Sequence, residues 1–159
     1  MEKIPPELEV GRKAPDFTLE DQNGEEFTLS DYKGKSRILL SFHPLAGTEV
    51  CAKQMKTLER KMRKFQEQNA LPVGVSVDPV PSKKLWAEEL GLDKLRILSD
   101  FWPHGKVAKD YGIFMEEKGF SKRANVIVDE DQTIAFSKVY PLEEVPDVRE
   151  IISKLKERR

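Results

Sequence analysis

Two spacings of apolar residues alternate along this chain, and each predicts a different kind of element. Short apolar runs that end at turn residues predict buried strands, whereas apolar residues three and four positions apart predict helices. The predicted strands are 17–19, 26–28, 37–42, 72–77, 96–98, 123–128 and 133–139. The predicted helices are a short turn within 29–34 and longer segments at 48–68, 81–90, 105–111 and 146–158.

Turn signals and the order of these elements predict the fold class. Asn23-Gly24 is a strong signal for a hairpin between the first two strands, and the polar residues 129–132 predict a turn between the last two. A strand–helix–strand unit followed by a hairpin and a closing helix indicates the α/β class. The expected fold is a thioredoxin-like sandwich with a central mixed β-sheet flanked by helices, plus an N-terminal β-hairpin. We expect the 159 residues to form one domain with an irregular lead-in over residues 1–10.

Composition and charge narrow the range of partners. The 27 basic and 28 acidic residues almost cancel, so there is no electrostatic argument for a nucleic acid or an acidic membrane. No segment approaches the ~20 consecutive apolar residues of a membrane span, and the first residues lack the apolar core of a signal peptide. The one unpaired cysteine suits a reducing compartment, so we expect a soluble, cytoplasmic protein. Cys51, His43 and His104 are scattered nitrogen and sulfur ligands, so we expect no metal and no other cofactor.

Candidate chemistry is concentrated where the third predicted strand meets the second helix. Cys51, the only cysteine, follows the predicted helix start at Thr48 by three residues. If Thr48 is the N-cap, its hydroxyl oxygen can accept the backbone N–H of Cys51. The positive end of the helix dipole would then favour the thiolate, which is the nucleophilic form of cysteine. The alternative is that Cys51 is an inert core residue, since it shares a helical stripe with Met55 and Leu58.

The combination of Pro44, Thr48 and Cys51 resembles the P-x-x-x-T-x-x-C signature of the peroxiredoxin family. The stretch 11–19 also resembles the opening of that family, and the stretch 98–105 resembles its alkyl hydroperoxide reductase E branch, also called bacterioferritin comigratory protein. The resemblance covers nearly the whole chain. It implies a thiol-dependent peroxidase that reduces hydrogen peroxide and organic hydroperoxides through a sulfenic acid on the cysteine.

The resemblance also implies roles for individual residues. Cys51 attacks the peroxide, Pro44 covers the site, Thr48 orients the substrate, and Arg123 stabilises the thiolate and the developing negative charge. Backbone N–H groups near Val50 and Cys51 would polarise the peroxide. With no second cysteine, the oxidised protein would be recycled by an external thiol that is thioredoxin-like, glutaredoxin-like or small. A non-covalent homodimer is expected, with contacts near the active-site loop and the segment around Trp102.

Two residues depart from the pattern of the family, and the role of His43 is open. Gln54 stands where the family often has glutamate, and could hold Arg123 only through an uncharged amide oxygen. Gly47 stands where an aromatic residue is common, which leaves that side of the pocket open. His43 either faces the thiol pocket and polarises Cys51 or is a strand-end histidine bonded to backbone.

Further expectations concern packing residues and rival functions. We expect His104 to serve packing or dimer contacts and Trp86 to be a partly exposed packing residue. The rivals to a peroxidase are a peroxide sensor that passes its oxidation to a partner and a non-catalytic thioredoxin-fold interaction or holdase protein. A Cys–His acyl hydrolase would require His43 or His104 within hydrogen-bond reach of Cys51.

Overall fold

A computed structural model describes residues 2–157 of the chain. Its strands are β1 (Thr18–Glu20), β2 (Glu26–Thr28), β3 (Arg37–Phe42), β4 (Ala70–Ser76), β5 (Arg96–Ser99), β6 (Phe114–Met115), β7 (Phe120–Ser121), β8 (Arg123–Val128) and β9 (Ile134–Tyr140). Its α-helices are α1 (Glu49–Arg60), α2 (Met62–Glu67), α3 (Val80–Leu90), α4 (Lys106–Asp110) and α5 (Val148–Glu157). Short 3₁₀ turns lie at Pro6–Leu8 and Leu29–Tyr32. The predicted lead-in begins at Met1 and the predicted last helix ends at Arg158, and both of these residues lie outside the described part of the chain.

Seven of these strands form one mixed sheet in the order β2-β1-β5-β4-β3-β8-β9. The three central strands β3, β4 and β5 are parallel, and β8 and β9 continue the sheet in antiparallel pairing. The predicted N-terminal hairpin is present as β1 and β2, and it joins the sheet through one antiparallel pair, Glu20 with Ser99. The α/β sandwich with a mixed sheet is therefore confirmed.

The two faces of the sheet bury two separate apolar clusters. Along β3, Ile38 and Leu40 pack on one face with α4 and the β1–β2 hairpin, while Leu39 packs on the other face with α1, α3 and α5. This alternation follows from the two-residue period of a strand, and a strand that is apolar at both phases has to be covered on both sides. Ser41 shares the phase of Leu39, so its polar side chain faces α1 inside the second cluster.

Several predicted boundaries are wrong in an informative way. The helix predicted over 48–68 is two helices, because the chain tightens at Lys61, whose N–H is shared among the carbonyls of Glu59, Leu58 and Thr57. Shared bonds of this kind mark a 3₁₀-like turn. The apolar stripe nevertheless continues through Met62 in α2, so the periodicity that predicted one helix is preserved across the break.

Two local predictions also need correction, and one hairpin was missed. The lead-in contains a 3₁₀ turn whose Leu8 is fully buried, and Ser137 Oγ donates to the Leu8 carbonyl at 2.6 Å. Trp86 is buried instead of partly exposed. The β6–β7 hairpin was missed because strands of two residues carry no readable period.

The helices are short compared with the ~20 residues that cross a bilayer. Within residues 2–157, no helix has the length and apolar character needed to cross a membrane.

Candidate active site

The candidate nucleophile lies in the first turn of α1, just after the loop that leaves β3. Cys51 is a free cysteine with no exposed surface. Thr48 occupies the N-cap position in extended backbone conformation. The predicted side-chain cap is wrong, however, because the Thr48 hydroxyl donates to the Leu45 carbonyl at 2.9 Å. It closes the loop on itself and leaves the N–H groups at the start of α1 to other acceptors.

Arg123, at the start of β8, reaches the sulfur from the neighbouring strand. Its Nη1 donates to Cys51 Sγ at 3.3 Å and to Gln54 Oε1 at 2.6 Å. Its Nε and Nη2 donate to the Leu142 carbonyl at 3.1 and 2.7 Å. The side chain is buried, so the guanidinium is held by four bonds in one orientation with water excluded. The structure therefore places a fixed positive charge directly beside the sulfur.

Gln54 lies one helical turn after Cys51 and holds the arginine as the sequence suggested, through its amide oxygen. Its Nε2 donates to Ser41 Oγ at 2.7 Å and to the Phe42 carbonyl at 3.3 Å. The amide thus links α1 to β3 on one side and to Arg123 on the other. No carboxylate takes part in this bridge.

The loop between β3 and α1 is anchored at one end and open at the other. Pro44 is buried, and the Ala46 N–H donates to Asp78 Oδ2 at 2.7 Å. Gly47 is exposed with a φ of +85°, and a side-chain carbon added there would meet no atom within 4 Å. The positive φ explains why glycine replaces the expected aromatic residue. Val50 is half-buried at the same rim.

His43 is buried beside the site but does not bond the sulfur. No hydrogen bond joins its ring to Cys51; Nδ1 lies 3.5 Å from the Ser41 carbonyl, and the ring packs on Trp86 with centroids 5.5 Å apart. Burial, then the positive charge of Lys83, lower the pKa of His43 well below 6.5, so the ring is neutral. These contacts fit the structural role better than the polarising one.

Lys83 is a buried cation that the sequence analysis missed. It has no exposed surface, and its Nζ donates to Ser76 Oγ at 2.6 Å. Burial lowers the pKa of Lys83 to about 8, against the opposing effect of the negative charge of Asp78. The sequence did indicate that Lys83 is buried, since Lys83 shares one helical stripe with the apolar Trp86 and Ala87.

The other histidine is also accounted for by packing. His104 Nε2 contacts the Gly119 carbonyl at 2.7 Å, and its ring meets the edges of Phe101 and Phe114. Neither histidine therefore forms the Cys–His pair that an acyl hydrolase requires. Within residues 2–157, no three His, Cys, Asp or Glu side chains cluster as metal ligands would.

Comparisons with known proteins identify the family. The AhpC/TSA family model matches residues 10–137. Alkyl hydroperoxide reductase E of Mycobacterium tuberculosis (strain ATCC 25618 / H37Rv) is 40% identical over 142 residues, covering 89% of this chain and 92% of the relative. A peroxiredoxin of Thermoplasma volcanium is 33% identical over 152 residues, covering 92% of this chain and 73% of the relative.

Solved structures that are similar to this protein belong to the same family as the sequence relatives. The crystal structure of peroxidoxin BcpB from Mycobacterium tuberculosis superposes with a TM-score of 0.84 at 26% identity, covering 96% of this chain and 99% of the other. Reduced 2-Cys peroxiredoxin of Plasmodium vivax gives a TM-score of 0.86 at 29% identity, covering 92% of this chain and 80% of the other.

The protein is a thioredoxin-like sandwich in which a cysteine at a helix start is buried beside an arginine. This arrangement is expected of a thiol peroxidase. The chain belongs to the AhpC/TSA family of peroxiredoxins. It is a thiol-dependent peroxidase, and its single cysteine fits the one-cysteine type.

Proposed function

We propose that Cys51 is the peroxidatic residue of this enzyme. Its thiolate attacks the terminal oxygen of a hydroperoxide, so that an S–O bond forms as the O–O bond breaks. Sulfur is oxidised to a sulfenic acid, and the departing oxygen takes up a proton to leave as water or an alcohol. The observation that carries the proposal is the 3.3 Å bond from Arg123 Nη1 to the buried Cys51 Sγ.

Arg123 has two tasks in this scheme. Before the reaction it stabilises the thiolate, and during the reaction its fork of donors stabilises the negative charge that develops on the departing oxygen. Its bonds to Leu142 and Gln54 support this role, because a donor that is already oriented need not reorganise when the charge appears.

The loop before α1 supplies the remaining parts of the site. Because Cys51 has no exposed surface, the peroxide enters when the segment 44–48 opens, and the exposed Gly47 is the point at which it can yield. Pro44 then excludes water from the site. The Thr48 hydroxyl and the N–H groups near Val50 and Cys51 orient and polarise the bound peroxide.

Regeneration requires a thiol from outside the chain. The sulfenic acid condenses with the first external thiol to give a mixed disulfide and water, and a second thiol releases the Cys51 thiol and the oxidised reductant. With only one cysteine in the sequence, no intramolecular disulfide can replace these steps. We propose a thioredoxin-like, glutaredoxin-like or small thiol as the reductant and a cytoplasmic location, which cell fractionation would test.

Turnover separates a peroxidase from a sensor. With hydrogen peroxide or an organic hydroperoxide and an excess of a dithiol, the protein is expected to consume many equivalents of peroxide per chain. Peroxide loss and thiol oxidation, followed together, should stay in the ratio of one peroxide to two thiols. Consumption that stops after one equivalent per chain, with reductant still present, would assign the protein to sensing.

We also propose that the chain forms one domain and pairs as a non-covalent homodimer. The shared seven-stranded sheet supports one domain, and cooperative unfolding in a single transition would test it. The adjacent exposed side chains of Phe101 and Trp102 support a dimer contact, since large exposed apolar side chains in one region often mark an interface. Sedimentation of a single-chain mass at micromolar concentration would contradict the dimer.

A further inference from the structure

The amide of Gln54 can face Arg123 in two ways, and only one of them helps the guanidinium. With Oε1 towards Arg123 the amide accepts a hydrogen bond, but after a 180° turn its NH₂ group would place donors against donors. A glutamate at this position would have no such ambiguity, because both of its oxygens accept. The substitution of glutamine for glutamate therefore creates a need for something that fixes the amide.

A chain of buried polar groups leads away from the NH₂ end of Gln54. Nε2 of Gln54 donates to Ser41 Oγ at 2.7 Å, and Ser41 Oγ donates to Asn125 Oδ1 at 2.7 Å. Asn125 Nδ2 then donates to the Tyr140 hydroxyl at 3.3 Å, and that hydroxyl donates to Glu150 Oε1 at 3.4 Å. Every bond in the chain has the same direction.

The two ends of the chain determine that direction. The guanidinium of Arg123 can only donate, and the carboxylate of Glu150 can only accept. Each group between them can do both, so its orientation is set by its neighbours. If the hydroxyl of Ser41 gives its proton to Asn125, it can only accept from Gln54. Together with the longer bond from Nε2 to the Phe42 carbonyl at 3.3 Å, this makes the amide present Oε1 to Arg123.

Because these polar groups are buried, a wrong orientation of the amide would be costly. Ser41, Gln54 and Asn125 are each at most 3% exposed, so water is not at hand to pair with a group that turns the wrong way. A buried polar group left unpaired costs far more than a net hydrogen bond contributes. The short inner bonds at Ser41 carry most of the effect, while the longer outer bonds through Tyr140 complete the direction.

We propose that Ser41 and Asn125 are positioning residues for the peroxidase reaction, acting by fixing the Gln54 amide so that its oxygen holds Arg123 at Cys51. The proposal rests on the function proposed above and adds two residues that do not touch the substrate. It also explains how this chain dispenses with the charge of a glutamate at position 54.

The test compares Asn125→Ala in two backgrounds by the second-order rate of Cys51 oxidation in stopped flow. With Gln54 present, loss of Asn125 frees the Ser41 proton to turn towards Gln54, and only the longer bond to the Phe42 carbonyl at 3.3 Å then opposes a flip of the amide, so we expect the rate to fall about 5-fold or more. In a Gln54→Glu background the Ser41 hydroxyl donates to the carboxylate instead. There Asn125→Ala should change the rate by less than about 2-fold.

Two further variants protect the interpretation. If Asn125→Ala fails to fold, Asn125→Val keeps a strand-forming side chain without polar atoms and is expected to give the same pattern. Gln22→Ala is the matched control, because Gln22 is also a buried amide, but it bonds the backbone of Leu95 and Ile97 and no member of the chain from Arg123 to Glu150. It should lower the melting temperature while leaving the rate unchanged.

The possible results distinguish a failure of this positioning proposal from a failure of the proposed peroxidase function. Equal rate losses in both backgrounds would mean that Asn125 acts only through general packing, and an unchanged rate with Gln54 present would mean that it is not needed. Either result overturns the positioning role while leaving the peroxidase intact. An unaltered protein that does not react with peroxide would overturn the proposed function and this proposal together.

Discussion

Replacing Cys51 with serine is expected to abolish peroxide reduction. A serine hydroxyl is scarcely ionised near neutral pH, and its oxygen cannot accept an oxygen atom from the peroxide as sulfur does. The variant keeps all four methionines of the chain, so any slow oxidation of their sulfur is measured as background. Peroxide consumption with excess thiol should fall to the level of the buffer.

The folding of the Cys51→Ser variant must be checked as well, because Cys51 is fully buried and its replacement could affect stability. Arg123 Nη1 can donate to the new hydroxyl as it does to the sulfur, so we expect the thermal transition to survive. Cys51→Ala, which adds no polar atom, should be equally inactive. Residual turnover in either folded variant would place the chemistry elsewhere in the molecule.

Replacing Arg123 with lysine is expected to lower the second-order rate of Cys51 oxidation by at least ~10-fold. The charge is kept, but a single ammonium cannot bond Cys51, Gln54 and Leu142 in the fixed geometry of the guanidinium fork. The loss should appear in the chemical step with hydrogen peroxide, where no larger substrate group can compensate. Stopped-flow fluorescence of the reduced protein would measure it.

Arg96 offers a matched control for that substitution. It is also an arginine that begins a strand and is bonded to a neighbour, with Nε 2.8 Å from Asp21 Oδ2. Arg96→Lys should leave the rate within about 2-fold of the unaltered protein, since its charge lies on the far side of the sheet. Similar losses in the two variants would assign the Arg123 effect to folding.

Local patterns were enough for the fold and for the position of Cys51 at a helix start. The strand–helix junction at Cys51 follows from an apolar run, turn residues and a helical stripe, all within neighbouring residues. The pairing of Gln54 with Arg123 was also open to prediction, because Gln54 follows Cys51 by nearly one helical turn. What it required in addition was the resemblance that implied Arg123.

Contacts between distant parts of the chain could not be read in this way. Ser41 and Asn125 are 84 residues apart and each sits in a strand whose apolar neighbours dominate the pattern. Lys83 is a different case: its helical stripe with Trp86 and Ala87 was a readable signal, but it was missed because Lys83 adjoins Lys84 in a charged helix. The Thr48 hydroxyl donates to the Leu45 carbonyl within the loop instead of forming the expected helix cap.

The central claim, that the Cys51 thiolate itself takes the oxygen of the peroxide, is tested most directly by trapping the oxidised residue. The reduced protein is treated with one equivalent of hydrogen peroxide in the presence of dimedone, and the peptide carrying position 51 is analysed by mass spectrometry. We expect a dimedone adduct on Cys51, which reports a sulfenic acid, and a single-chain band on a non-reducing gel. An unmodified Cys51 after peroxide loss, or a covalent Cys51–Cys51 dimer as the main product, would contradict the account.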